Sequence, residues 1–208
     1  MEIAPEHESV VRWLGRPDTH AHRPDRVEQI ETHISHVFLA GSYVYKLKKP
    51  VQFDFLDFTT VQARERACRE EVRLNRRLAP GAYLGVLPII CGADGEYRLE
   101  GSGEVVDWLV EMRRLPTALT LEALHRRGKL LSEHIDRLSD VLVRFYRSLT
   151  PLPFAPQEYG DRYLSHVQGN LRELLAVRHH LPRGIVERVH GFQLQFLGLH
   201  PEIFEDRV

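Results

Sequence analysis

Cysteine is scarce in this chain. Cys68 and Cys91 are the only two in 208 residues and stand in no metal-ligand spacing. Free thiols in a reducing compartment are therefore expected. No apolar run approaches the length of a membrane span. The N-terminus lacks the basic-then-apolar pattern of a signal peptide, so a cytoplasmic protein is expected. A dominant charge sign is missing as well: 28 Lys and Arg stand against 29 Asp and Glu. That balance gives no general attraction to nucleic acid or to an anionic membrane. There is no internal repeat, no low-complexity tract and neither of the common glycine-rich phosphate loops, G-x-G-x-x-G or G-x-x-x-x-G-K-[ST]. The length suits one large domain or two small lobes.

What the chain does have is centred on residues 37–50. Val37-Phe38-Leu39-Ala40 and Tyr43-Val44-Tyr45-Lys46-Leu47-Lys48 are β-branched and aromatic runs separated by the turn signal Gly41-Ser42. The second run alternates. Tyr43, Tyr45 and Leu47 point to one face, and Val44, Lys46 and Lys48 to the other. With Val27 to Thr32 as a preceding strand and His33-Ile34-Ser35 as the turn, this predicts a three-stranded antiparallel meander closed by Pro50. Upstream, Val10, Val11 and Leu14 form one face of a short helix. The segment from Asp18 to Asp25 reads as an exposed loop, in which His20 and His22 lack the companions of a metal site. His33 and His36 lack them too.

Val51 to Phe58 is aromatic-rich and is expected to pack under the sheet. A helix then opens at Thr59, with Gln62 completing a capping-box pattern. It carries Ala67, Leu74 and Leu78 as its inward stripe. Glu71 falls on that stripe, where an unpaired carboxylate is costly. The other face bears Arg66, Arg69, Arg73, Arg76 and Arg77. With Glu65 and Glu70 among them it reads as a solvated face rather than a nucleic-acid stripe, and binding to nucleic acid is not expected. Tyr83 to Cys91 and Glu104 to Met112 are two further strands, with Tyr97-Arg98-Leu99 a short candidate between them. About five strands with one helix inserted after the third are predicted.

Beyond the connector Arg113-Arg114-Leu115-Pro116 the chain is helical. A short helix over about Leu121 to Arg127 ends at Gly128. A second is capped by Ser132 and presents Ile135, Leu138, Leu142, Phe145 and Leu149. After a proline-rich linker, Pro151 to Pro156, a third runs from about Asp161 to His180 and buries Leu164, Val167, Leu171 and Leu174. A fourth carries Ile185, Val189, Phe192, Phe196 and Leu199 on one face. The expected architecture is α+β: an N-terminal helix and loop over 1–26, a β-rich lobe and hinge over 27–115, and a helical lobe over 116–208. This order is that of the protein-kinase-like fold.

A lysine on the third strand and a glutamate on the next helix solve one problem of phosphoryl transfer. The lysine holds the α- and β-phosphates of ATP, and the glutamate holds the lysine. Lys46 and Glu71 are of the right type in the right order, with Lys48 as runner-up and Val44 placed to lie over adenine. Ser35 and its turn stand where a glycine-rich loop would contact phosphate. Glu111, Met112 and Arg113 stand where a hinge would present backbone groups to the base. The plainer alternative leaves both lysines on an open sheet face and pairs Glu71 with a local arginine.

Four blocks, Glu31-Thr32-His33-Ile34-Ser35, Tyr45-Lys46-Leu47-Lys48-Lys49-Pro50, Phe55-Leu56-Asp57-Phe58 and Glu70-Glu71-Val72-Arg73-Leu74-Asn75-Arg76-Arg77-Leu78-Ala79-Pro80, together with Val110-Glu111-Met112-Arg113-Arg114-Leu115-Pro116, resemble one family. It is the bacterial aminoglycoside-phosphotransferase-like proteins often fused to a C-terminal P-loop ATPase domain. The resemblance runs over about residues 8 to 208. It implies a kinase-like fold with a five-stranded N-lobe, ATP with Mg2+ as cofactor, Lys46 as the phosphate lysine and Glu71 as its partner. A small-molecule hydroxyl is the implied acceptor. Asn75 and Arg76 belong to the blocks without an evident role. The family's His-Gly-Asp catalytic loop and magnesium-binding aspartate have no counterpart: His190-Gly191 is followed by Phe192, and Gly160-Asp161 lacks the histidine. The chain is thus expected to be a truncated phosphotransferase unable to catalyse alone. The alternative is a non-catalytic nucleotide-binding or protein-interaction module, self-associating through its helical faces.

Overall fold

The computed structural model describes residues 5–53, 55–151, 155–176 and 179–205. The chain divides into two compact units, Met1–Ser148 and Leu149–Val208. The first is built on a mixed α+β plan. Helix α1 (Pro5–Leu14) precedes strands β1 (Val27–Glu31), β2 (Ser35–Ala40) and β3 (Tyr43–Lys48). A small hairpin, β4 (Gln52–Phe53) and β5 (Leu56–Asp57), leads into helix α2 (Val61–Asn75). Strands β6 (Tyr83–Cys91), β7 (Tyr97–Arg98) and β8 (Glu104–Arg113) complete the sheet, and helices α3 (Leu121–Arg126) and α4 (Ser132–Arg147) follow.

The sheet is antiparallel, with the order β1-β2-β3-β8-β6-β7. It holds six strands where five were expected. Gly95, at φ +78°, reverses the chain so that Tyr97 and Arg98 pair back onto Cys91 and Ile90. The β2–β3 turn falls at Gly41-Ser42 as the sequence predicts, and Gly41 takes φ +60°, a conformation open to glycine at little cost.

Each face of the sheet is covered by a different helix. On one, Val10 and Leu14 of α1 pack with Phe38, Ala40, Tyr45, Leu47, Ile89 and Leu109. On the other, Cys68 and Val72 of α2 pack with Val110, flanked by Tyr83, Val86, Trp108 and Met112. The segment after α1 is part of the first core rather than an exposed loop. His20 is buried, stacks on Tyr45 at 5.0 Å and sets Nε2 2.9 Å from the Leu14 carbonyl. A carbonyl only accepts, so Nε2 carries the proton. Burial lowers the pKa of this ring. His22 Nε2 reaches the Ala40 carbonyl at 2.8 Å.

Four local expectations are corrected. Residues 51–58 do not pack under the sheet as a whole. Gln52 pairs with Asp57 and Phe53 with Leu56, while Phe53 stacks on Phe55, which is 81% exposed. Helix α2 is capped one residue later, by Thr60, whose hydroxyl accepts from the Ala63 amide at 3.1 Å. Thr59 is held instead by Asp57, which accepts from its amide and its hydroxyl. The buried row of α2 is Arg64, Cys68 and Val72, and Leu74 and Leu78 lie exposed. A charged residue can head that row because Asp107 of β8, itself buried, accepts from Arg64 Nε at 2.7 Å. In α4, Ser132 is the first helical residue and Leu131 the cap, its amide donating to His134 Nδ1 at 3.0 Å.

The second unit contains α5 (Pro156–Leu174), α6 (Arg183–Leu199) and α7 (Glu202–Glu205). Pro156 sits at the first position of α5, where its missing amide costs nothing. The expected extension of this helix to His180 fails because α5 ends at Leu174; residues 177 and 178 lie outside those described, as do linker residues 152–154. In α6 the buried residue is Val186, whereas Ile185, Val189, Phe192, Phe196 and Leu199 are all exposed.

Candidate anion site

Strand β3 crosses the middle of the sheet and turns Val44, Lys46 and Lys48 toward α2. Residues two apart on one strand face stand about 6.6–6.8 Å from each other, and Glu71 descends from α2 between them. Lys46 Nζ donates to Glu71 Oε1 at 2.8 Å, and Lys48 Nζ donates to Glu71 Oε2 at 2.7 Å. One carboxylate therefore bridges both lysines. The side chains of Lys48 and Glu71 are 5% and 13% exposed, while Lys46 is 26% exposed and forms the open side of the cluster. Glu71, anomalous on an apolar stripe, is paired here twice over, and with lysines rather than a local arginine.

Electrostatics follow from this geometry. Burial pushes the Glu71 carboxyl upward, but hydrogen bonds and charge from both lysines outweigh it and hold the pKa below its ordinary value. The Tyr83 phenol is pushed up by burial and then by the nearby Glu71 charge. Cys68, one turn before Glu71, is sealed and its thiol is raised to about 12, chiefly by burial. It is a packing residue rather than a nucleophile.

The supporting contacts give roles to residues that sequence reasoning left unexplained. The Phe58 ring lies 5.0 Å from Lys48 Nζ, a cation–π contact under the buried ammonium. Asn75 Nδ2 donates to the Glu71 carbonyl at 2.8 Å. Arg76 is the C-cap of α2 and donates from Nε to the Tyr83 carbonyl at 2.8 Å and from Nη2 to the Leu84 carbonyl. It fastens the end of α2 to the start of β6. The signal for all three was their place inside the blocks around Lys48 and Glu71. Other arginines on and just after α2 are engaged within the chain: Arg69 with Glu65 and the Trp108 ring, Arg73 with Glu70, and Arg77, beyond the C-cap, over Phe145.

Of the predicted site residues, Val44, Lys46, Lys48, Glu71 and Met112 share one face. Val44 pairs with Met112, and Lys46 with Val110. Glu111 and Arg113 do not join them. They pair with Tyr45 and Tyr43 and so lie on the α1 face, where burial and then the Glu111 charge raise the pKa of the Tyr45 phenol. Nor do residues 111–113 form a free hinge. They run within the sheet between β3 and β6, and the Arg113 amide donates to the Ala82 carbonyl. Strand β8 runs through all three of these residues, and the chain leaves the sheet at Arg114-Leu115-Pro116. Ser35 is also withdrawn. Its amide is bonded to Thr32 Oγ1, its carbonyl accepts from Thr32, and its hydroxyl is sealed without a hydrogen-bond partner among the described residues. Thr32 thus takes the Ser35 amide and carbonyl, and burial takes its hydroxyl, so Ser35 does not face a phosphate.

A second polar centre lies at Asp107. It accepts from Arg64 of α2 and from the Trp108 amide, and its other oxygen stands 3.4 Å from His7 Nδ1 of α1. Arg64 also donates to the Phe58 and Thr59 carbonyls. This buried cluster ties the helices of both sheet faces to one strand. Among the described residues, no group of three or more His, Cys, Asp or Glu is arranged to hold a metal ion. Among them also, no helix is long and apolar enough to cross a membrane.

Comparison with known proteins gives relatives but no family. The chain is 38% identical over 117 residues to uncharacterized proteins of Mycobacterium tuberculosis, in strains H37Rv and CDC 1551, and of Mycobacterium bovis. The match covers 56% of this chain and 22% of each relative, so the chain spans about a fifth of their length. No protein-family model matches the chain, and no solved structure matches it.

Proposed function

We propose that the chain binds ATP through Lys46, as the nucleotide-holding part of an ATP-dependent small-molecule phosphotransferase of the aminoglycoside-phosphotransferase-like kind. The observation that carries this reading is the 2.8 Å contact between Lys46 Nζ and Glu71 Oε1. It joins the third strand to the helix that follows it, which is where a protein-kinase-like lobe pairs its phosphate lysine with a glutamate. The strand order β1-β2-β3-β8-β6, with α2 inserted between β3 and β6, supports the same kinase-like reading. Lys46 is the more exposed of the two lysines and would meet the α- and β-phosphates. Val44 and Met112, on the same face, offer apolar surface to the base.

Two ammonium groups around one carboxylate suit a polyphosphate. Magnesium would arrive with the nucleotide and neutralise phosphate charge, and Lys46 and Glu71 would bind and orient the chain of phosphates beside it. The 208 residues hold no His-Gly-Asp run, so binding without transfer to a hydroxyl acceptor is expected of this chain. Calorimetric titration with adenosine, AMP, ADP and ATP tests the reading. Affinity should rise with phosphate number in the presence of magnesium. Equal affinity across the series, or none, overturns it.

A second reading, a protein-interaction module, rests on α6. Phe192 is 69% exposed and Leu199 64% exposed, with Ile185, Val189 and Phe196 beside them. An exposed apolar row of this kind marks a contact surface. Sedimentation equilibrium should then show concentration-dependent association that Phe192→Ser weakens; a strict monomer at all concentrations removes this reading.

A further inference from the structure

The nucleotide reading gives a role to Lys46 and Glu71 but none to Lys48, which makes the shorter contact to the same carboxylate and is the more buried of the two lysines. Lys48 also sits over the Phe58 ring, and its backbone is paired with Ser35 in the sheet. An ammonium with three donors, held on one side by a carboxylate and on another by an aromatic face, has little freedom to reach a ligand. Lys46 has that freedom on its exposed side.

We infer that Lys48 is a positioning residue. It holds Glu71 in place so that Lys46 meets the phosphates as a net cation. The inference rests on the proposed nucleotide site. In a simple lysine–glutamate pair the charges cancel, and a lysine that turns toward phosphate loosens its carboxylate partner. Here two ammonium groups share one carboxylate and leave one positive charge over. Lys48 keeps Glu71 paired whether or not Lys46 turns, so no buried carboxylate is stranded. The surplus charge sits on the more exposed Lys46 side and favours ligands with more phosphates. The other titratable groups near this cluster are Tyr83 of β6, Cys68 of α2 and, beyond Cys68, Asp107 of β8, and none supplies a third cation.

Three measurements on the full chain test this. First, carbon-13 NMR of labelled glutamate, with Glu71 assigned by loss of its signal in Glu71→Gln, follows the carboxyl without any ligand. In Lys48→Met its titration midpoint should rise by at least about one pH unit, and Lys48→Arg should restore it. Second, Lys48→Met should cut the preference for ATP over AMP by roughly tenfold, with Lys48→Arg close to wild type. Third, amine acetylation mapped by mass spectrometry on the unmutated protein keeps the inference testable if Lys48→Met does not fold. Lys46 should be labelled and protected by ATP, and Lys48 should stay protected throughout. A wild-type Glu71 titration and phosphate preference in folded Lys48→Met, or Lys48 labelled as fast as Lys46, overturns the inference. Absence of nucleotide binding by the wild type overturns the nucleotide reading instead. The Glu71 titration then decides alone whether Lys48 holds the carboxylate.

Discussion

Arg64 of α2 and Asp107 of β8 form a buried ion pair, Nε to Oδ1 at 2.7 Å, with side chains only 7% and 2% exposed. His7 of α1 stands 3.4 Å from the other carboxylate oxygen, so this one aspartate is shared by the helices of both sheet faces. The pair sits in the first turn of the helix that carries Glu71 and fastens that turn to β8. Removing either partner leaves a buried charge uncompensated. Asp107→Asn is expected to lower stability by about 3–5 kcal/mol, read as a lower urea midpoint. Arg64→Met should cost a similar amount, and the double variant less than the sum of the two.

The other end of α2 depends on Arg76. Its guanidinium donates to two carbonyls at the start of β6. Arg76→Ala should cost about 1.5–3 kcal/mol. Hydrogen exchange should show the loss as faster amide exchange over residues 72–84 than elsewhere in the sheet. Uniform acceleration across the unit would assign Arg76 no particular role at that end.

The Glu71 cluster should impose a defined acid dependence. Its carboxyl is held below the ordinary value of 4.5 in the folded chain by the two lysines, which outweigh the opposing effect of burial. A depressed carboxylate stabilises the fold fully above its unfolded value, and that contribution is lost as pH falls through the folded value. Glu71→Gln should therefore be less stable than wild type at pH 7, by on the order of 3 kcal/mol, and the gap should close below about pH 4.5. Urea unfolding of both proteins between pH 3 and 7 measures it. A gap that widens toward acid contradicts the pairing.

Burial of Cys68, with its thiol raised to about 12, predicts selective thiol chemistry. Under native conditions at pH 8 a thiol reagent should label the half-buried Cys91 and spare Cys68. Denaturant should release the second equivalent. Rapid labelling of both would place Cys68 outside the α2–sheet core.

Much of this arrangement was legible in the sequence where a short period met a turn signal. Tyr43 to Lys48 alternates strictly, so the facing of Lys46 and Lys48 followed directly, and Gly41-Ser42 fixed the hairpin. Glu71 could be marked because a carboxylate on an apolar stripe demands a partner. The true stripe escapes a hydropathy reading because Arg64 heads it, and its charge is met by Asp107, 43 residues away, with the Phe58 and Thr59 carbonyls taking further donors. Hydropathy cannot register such a long-range pair. Ser35 and Glu111 were assigned by their place in the chain order, but whether a backbone group is free depends on what the neighbouring strand and turn already take. Asp107 itself gave no signal, being one of three acids in the run 104–112 with nothing in the sequence to set it apart from Glu104 and Glu111. His20 and His22 read as loop because their packing partners, Tyr45 and Tyr43, belong to a strand more than twenty residues on.

Phosphorus-31 NMR of ATP reports most directly on the proposed contact between Lys46 and the phosphates of a nucleotide. With wild-type protein and magnesium, the α- and β-phosphate resonances should shift and broaden on titration. With Lys46→Met they should stay at their free positions, while the protein retains its fold by circular dichroism. Identical phosphate shifts with wild type and folded Lys46→Met would contradict the account.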